Sequence, residues 1–204
     1  MGEKGLLLVI SGPSGTGKGT VVRALQRANS SLRLSISATT RLPRDGEVDG
    51  VDYYFMERDI FKKMIEEGQL LEWAKVYGNY YGTPSHFVRD ALERGNDIIL
   101  EIDIQGALQV KEKLPEAVLV FIAPPSKTEL QTRLLGRKSD SREEIEKRLK
   151  CMTGEMKLAG GYDYIVVNDS INRALDNIHA IIMAEKCRTW RQQSIIEQLS
   201  QPGS

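Results

Sequence analysis

Leu6-Leu7-Leu8-Val9-Ile10-Ser11-Gly12-Pro13-Ser14-Gly15-Thr16-Gly17-Lys18-Gly19-Thr20 is the stretch on which the fold turns. Leu6 to Ile10 is a continuous apolar run, the pattern of a strand covered on both faces in a parallel sheet. Lys18–Ala28 has the apolar spacing of a helix, and the glycines between are where a P-loop must lie. Backbone N–H groups there turn inward as a cradle, the helix offers its positive end, and Lys18 adds a point charge for β and γ phosphates. Gly12, Pro13, Ser14, Gly15, Thr16, Gly17, Lys18, Gly19 and Thr20 are therefore candidate ligands of a nucleoside triphosphate. The general pattern has Ser or Thr directly after the lysine to hold Mg²⁺. Here Gly19 stands there and the hydroxyl follows at Thr20, so the metal is expected to be held mainly through water.

Outward from this loop, apolar runs recur at Asp97–Asp103, Ala117–Ile122 and Tyr164–Val167, alternating with helical patterns. Helices are expected at Ser85–Arg94, Ile104–Lys113, Lys127–Leu135, Arg142–Leu158 and Ile171–Gln198. Such alternation predicts βαβ units: a three-layer α/β sandwich around a central parallel sheet. Two stretches break the rhythm. Between Thr39 and Tyr81, tyrosines, glycines and the alternating segment Leu70–Tyr77 predict short antiparallel strands around a helix at Ile60–Glu66, an inserted subdomain. Arg133 to Arg148 is dense in charge and poor in apolar residues, as expected of a mobile lid.

With 204 residues and 41% hydrophobic content, the chain can bury one sizeable core. Its 28 basic and 28 acidic residues cancel, so no long-range positive field draws it to nucleic acid or an anionic membrane. Cys151 and Cys187 lie far apart without C-x-x-C spacing, which excludes a disulfide-stapled scaffold and favours a reducing cytoplasm. The apolar N-terminal run is too short to span a membrane. His86 and His179 sit in no triad or metal-ligand spacing.

From Ser37 the sequence reads Ala38-Thr39-Thr40-Arg41-Leu42-Pro43-Arg44-Asp45-Gly46-Glu47, and this run resembles the acceptor region of the guanylate kinases. The resemblance continues through Asp52-Tyr53-Tyr54-Phe55, Glu72-Trp73-Ala74, Gly78-Asn79-Tyr80-Tyr81-Gly82-Thr83, Asp103-Ile104-Gln105-Gly106, Arg133-Leu134-Leu135-Gly136-Arg137, Lys147-Arg148-Leu149 and Val166-Val167-Asn168-Asp169. It implies ATP and GMP as substrates, with Mg²⁺ accompanying ATP. The GMP phosphate is then expected at Arg41, Arg44, Tyr53 and Tyr81, with Glu47 closing that set. The guanine is expected at Ser37, Glu72 and Thr83, and Glu101 and Asp103 beside the acceptor or metal-bound water; similar enzymes often have Asp, shorter by one methylene, where Glu101 stands. Arg133, Arg137 and Arg148 match lid arginines, catalytic together with Lys18 and Arg41, and Asn168 borders the ATP base. The implied layout is a core of 1–37, 84–130 and 160–204, a GMP-binding insertion 38–83 and a lid 131–159.

Residue chemistry supports these roles. Guanidinium forks pair bidentately with phosphate oxygens. Guanine presents two adjacent donors, N1–H and its 2-amino group, which match the two oxygens of a carboxylate such as Glu72. For the pair Glu101 and Asp103, a helix cap or a bond to Arg41 is the alternative. Two rivals stand beside the enzyme reading: a catalytically inactive guanylate-kinase-like binding module, and a kinase for another nucleoside monophosphate. The intact Lys18 and acceptor set weigh against the first, Glu72 and the Thr39–Glu47 run against the second. The sequence leaves monomer and homo-oligomer both open.

Overall fold

The computed structural model describes residues 4–76, 78–135, 152 and 154–200. Its centre is a five-stranded sheet of β1 (Leu7–Ser11), β2 (Arg33–Leu34), β7 (Ile98–Glu101), β8 (Val118–Ala123) and β9 (Tyr164–Val167), in the order β2-β7-β1-β8-β9. Every pairing in it is parallel. β1 is buried along its whole length because both its faces are covered. Leu6, Leu8 and Ile10 point to one face, under α1 (Lys18–Ala28) and α6 (Ile171–Lys186). Leu7 and Val9 point to the other, under α3 (Ser85–Glu93) and α4 (Ile104–Lys113). Alternating side-chain direction along a strand thus builds two apolar layers from one run.

The inserted segment forms a second, four-stranded sheet of β3 (Ala38–Thr39), β4 (Tyr54–Phe55), β5 (Leu70–Val76) and β6 (Asn79–Pro84), ordered β4-β3-β6-β5. Its small core gathers Ala38, Phe61 and Leu70 beneath α2 (Arg58–Glu66). The expectation of antiparallel strands holds for β3·β6 and β5·β6, but β4 runs parallel to β3. The long connection from Thr40 to Tyr53 brings the chain back in the same direction, which a hairpin could not do. A second departure lies at the C-terminus. Instead of one helix over 171–198, α6 stops at Lys186, a 3₁₀ turn covers Thr189–Arg191, and α7 occupies Gln193–Ser200. Just before the stop, the buried Glu185 accepts hydrogen bonds from both Tyr164 and Arg188. Of the expected helix at 142–158 and the charged stretch 133–148, most lies outside the described residues. α5 (Lys127–Leu135) is described and buries Leu130 and Leu134. Among the described residues, no helix is long and apolar enough to cross a membrane.

Asp97 ties the start of the sheet to the end of α6. Its carboxylate is buried, accepts the Leu6 N–H at 2.9 Å and pairs with Lys186. Asp97→Ala leaves that N–H and that ammonium without their partner. It is expected to cost about 2 kcal/mol, read by chemical denaturation, with KM values nearly unchanged.

Candidate active site

The loop after β1 is shaped by backbone angles that side chains resist. Gly12 sits at φ 140° and Gly17, which caps α1, at φ 88°. A Cβ on Gly12 would stand 2.4 Å from the Ile122 carbonyl oxygen. Lys18 Nζ donates to the carbonyls of Gly12 (2.6 Å) and Pro13 (2.9 Å), which holds it across the mouth of the loop. The loop is braced from behind. The buried Asn168 donates to the Thr16 carbonyl at 2.7 Å, and Arg133 on α5 donates to the Asn168 carbonyl at 3.1 Å while its Nε pairs with Glu129. Asn168 and Arg133, expected at the base and the lid, thus support the loop itself in this structure. Arg137 and Arg148 lie outside the described residues.

Glu72 is the central group on the facing wall. β5 carries an extra residue at Leu71, because Leu70 pairs with Pro84 and Glu72 with Thr83. Such a bulge re-aims successive side chains. Leu70 enters the small core of the insertion, Leu71 enters the main core, and Glu72 turns into the cavity. Thr83 Oγ donates to Glu72 Oε1 at 2.7 Å, so one carboxylate oxygen is oriented from within the sheet. Burial pushes the Glu72 carboxyl up to about 7; Asp103 adds to the rise, while the Thr83 bond and Lys113 oppose it.

Arg41 is held bidentately by Glu47, at 2.7 and 2.9 Å, and its guanidinium lies 5.2 Å from the centre of the Tyr53 ring. The Glu47 carboxyl is held down at about 2, first by Arg41 and then by the Arg44 N–H. Tyr53 and Tyr81 meet edge to face at 6.1 Å. Arg44 contributes its backbone N–H to Glu47, and its side chain is exposed. Glu47 therefore reaches the site through Arg41. Asp103 caps α4 by accepting the Gly106 N–H at 2.7 Å, as the alternative reading allowed, and it also lines the cavity.

The two unusual residues of the donor side meet each other. A Cβ on Gly19 would stand 3.2 Å from Glu101 Oε1, so the longer carboxylate lies where a side chain at residue 19 would begin. Burial raises the Glu101 carboxyl, and Lys18 and Arg23 oppose this. Hard oxygen donors, Glu101 and the exposed Thr20 hydroxyl, suit Mg²⁺ or its water shell. Three residues that motif reading passed over also belong here. Glu155 faces Lys18 and Asp103, Gly106 packs against Glu72, and Gln109 on α4 bonds the backbone of Trp73. Only Gly106 lay within a quoted motif.

One cavity of about 400 Å³ joins these walls, lined by Gly12, Ser14 and Lys18 on one side and Ser37, Glu72 and Tyr81 on the other. A parallel sheet with a glycine loop at the end of its first strand defines an α/β nucleotide-binding protein of the P-loop class. Residues 4–185 match the guanylate kinase family. The chain is 56% identical to the guanylate kinase of Caldanaerobacter subterraneus subsp. tengcongensis, over 95% of this chain and 94% of that one. It is 51% identical to the guanylate kinase of Halalkalibacterium halodurans over 93% of each. The crystal structure of guanylate kinase from Anaplasma phagocytophilum superposes with a TM-score of 0.74 at 35% identity, covering 94% of this chain and 91% of that one. The chain belongs to the guanylate kinase family.

The sign of the Glu72 shift yields a stability test. A carboxyl raised on folding favours the folded state least where it must be ionised, so the unliganded protein loses stability as pH rises from the ordinary carboxyl range through about 7. Glu72→Gln keeps an acceptor for Thr83 and removes the buried charge. It is expected to stabilise the unliganded protein by up to ~3 kcal/mol at pH 8. The gain fades towards pH 4.5, and melting curves at the two pH values check it.

Proposed function

We propose that the chain transfers the γ-phosphoryl group of ATP to GMP, giving ADP and GDP, in purine nucleotide metabolism. The observation that carries this reading is the single cavity that places the phosphate loop and the Thr83-oriented Glu72 carboxylate on facing walls. Guanine N1–H and its 2-amino group donate to Glu72, with Ser37 and Thr83 beside them. Adenine lacks that donor pair, and a site built around such bonds rejects the wrong base by roughly 10⁴-fold. Arg41, Arg44, Tyr53 and Tyr81 hold the acceptor phosphate, and Glu47 fixes the guanidinium plane of Arg41. The exposed free Cys187 suits a reducing compartment and supports a cytoplasmic location.

The acceptor phosphate, with a second pKa of about 6, is already an anion at neutral pH, so no side chain need remove a proton. One of its oxygens forms a bond to the γ phosphorus as the bond from that phosphorus to the β–γ bridging oxygen breaks, leaving ADP. Catalysis is then alignment and charge neutralisation of two repelling polyanions by Lys18, Arg41 and the loop N–H groups. Arg133, Arg137 and Arg148 complete the cationic set of this proposal. Mg²⁺, when bound with ATP, would supply further neutralisation of the phosphates, and Thr20 and Glu101 would hold it mainly through water.

A coupled ADP-release assay offering GMP, AMP, UMP, CMP and dTMP in turn tests the reading. Turnover should be selective for GMP and fall at least about a hundredfold in Lys18→Ala. Measurable GMP binding without turnover would mean a module that holds its ligand, and preference for another monophosphate would remove the role given to Glu72. The KM for GMP should rise as pH falls below 7, because the protonated Glu72 carboxyl no longer accepts from both guanine donors. In a double-mutant cycle, Gly19→Ser and Glu101→Asp should each lower kcat/KM and together lower it by less than their product, with a coupling of about 1 kcal/mol.

A further inference from the structure

Strand β5 carries Glu72 yet lies at the edge of its sheet, where outward backbone groups have no neighbouring strand. They are met by α4 of the core instead. Gln109 Oε1 accepts the Trp73 N–H and Gln109 Nε2 donates to the Trp73 carbonyl, each at 3.2 Å, so one amide side chain mimics a strand partner. Lys113 Nζ donates to the Leu70 carbonyl at 2.9 Å. On the same face a Cβ at Gly106 would stand 2.8 Å from Glu72 Oε2, so the carboxylate rests directly on the helix backbone. Residues 106, 109 and 113 are spaced i, i+3 and i+7, which places them in one stripe along α4. Asp103, at the cap of that helix, follows β7, and β7 ends at Glu101 beside Gly19.

We propose that this stripe of Gly106, Gln109 and Lys113 determines acceptor specificity by fixing the Glu72 carboxylate at a set distance from the phosphate loop. The proposal rests on the reading of Glu72 as the guanine-binding group. The acceptor sheet does not locate Glu72 by itself: two of its four strands have two residues each, and its own core is small. Leu71, inserted into the main core, anchors β5 from below. The amide clamp at Trp73 and the ammonium at Leu70 then fix the strand on either side of Glu72 along its length. Gly106 matters because a Cβ there would stand 2.8 Å from Glu72 Oε2 and force the carboxylate to shift. Lys113 acts a second time, because its charge opposes the rise that burial and Asp103 impose on the Glu72 carboxyl. None of these groups need touch the nucleotide, so they are positioning residues.

Steady-state kinetics on the full chain tests this with Gln109→Leu, close in size but unable to make either bond, and with Gly106→Ala. In Gln109→Leu the KM for GMP should rise about tenfold, the order expected from losing the clamp, and the preference for GMP over AMP should narrow by a similar factor. The KM for ATP should stay within about twofold of wild type, since the phosphate loop is untouched. Gly106→Ala should fold with a melting temperature near that of wild type, as alanine suits a helix, and show a still larger rise in the KM for GMP. Lys113→Met should move the fall of GMP affinity to higher pH. An unchanged KM for GMP in both Gln109→Leu and Gly106→Ala, whatever their melting temperatures, would overturn the proposal. Absence of GMP selectivity in the wild type would instead overturn the reading on which it rests, so the two failures are distinguishable.

Discussion

A buried carboxylate must be compensated, and at Glu72 a bulged strand, the Thr83 hydroxyl and a glycine of α4 meet around it. Enclosed by the cavity walls, it has one oxygen bonded by Thr83 and the other lying against the backbone of α4 at Gly106. Burial raises the Glu72 carboxyl to about 7, a cost that the two donors of guanine would relieve under the proposed reading. Binding and selectivity then share a single cause. Under that proposal, a base that completes the two oxygens is accepted, and one without both donors leaves a buried charge under-bonded.

Two negatively charged substrates must meet in a protein with no net charge to attract them. The donor side answers with backbone N–H groups, the end of α1 and one ammonium held over the loop. The acceptor side answers with Arg41, already engaged by Glu47 and stacked on Tyr53. If Arg41 holds the acceptor phosphate as proposed, this pre-positioning means that it loses little freedom when the phosphate arrives. The braces behind the loop, Asn168 and Arg133, link it to the end of β9 and to α5.

Local signals carried much of this into the sequence. The glycines of the loop, the apolar run before it and the periodicity of α1, α4 and α5 are read within a dozen residues, and those elements stand where they were expected. Asp103 as a helix cap was equally local. Four features were not legible, because each depends on a partner far along the chain. The bulge at Leu71 needs two cores to receive Leu70 and Leu71. The parallel pairing of β4 depends on how a long loop returns, and beside the break after Lys186 the buried Glu185 bonds Tyr164, 21 positions back. Gln109 is an ordinary helical glutamine until β5 arrives beside it. The mutual fit of Gly19 and Glu101 was visible only as two separate departures from pattern, 82 positions apart, and it took their contact to relate them.

In the proposed reading, guanine is recognised by the ionised form of a carboxyl that burial has made basic. Titration calorimetry of GMP binding at pH 6.5, in buffers of differing ionisation enthalpy, measures the proton balance directly. Wild type should release a sizeable fraction of a proton more than Glu72→Gln does, a comparison that removes the contribution of the GMP phosphate. Equal proton release by the two proteins, with GMP still bound by both, would contradict the account.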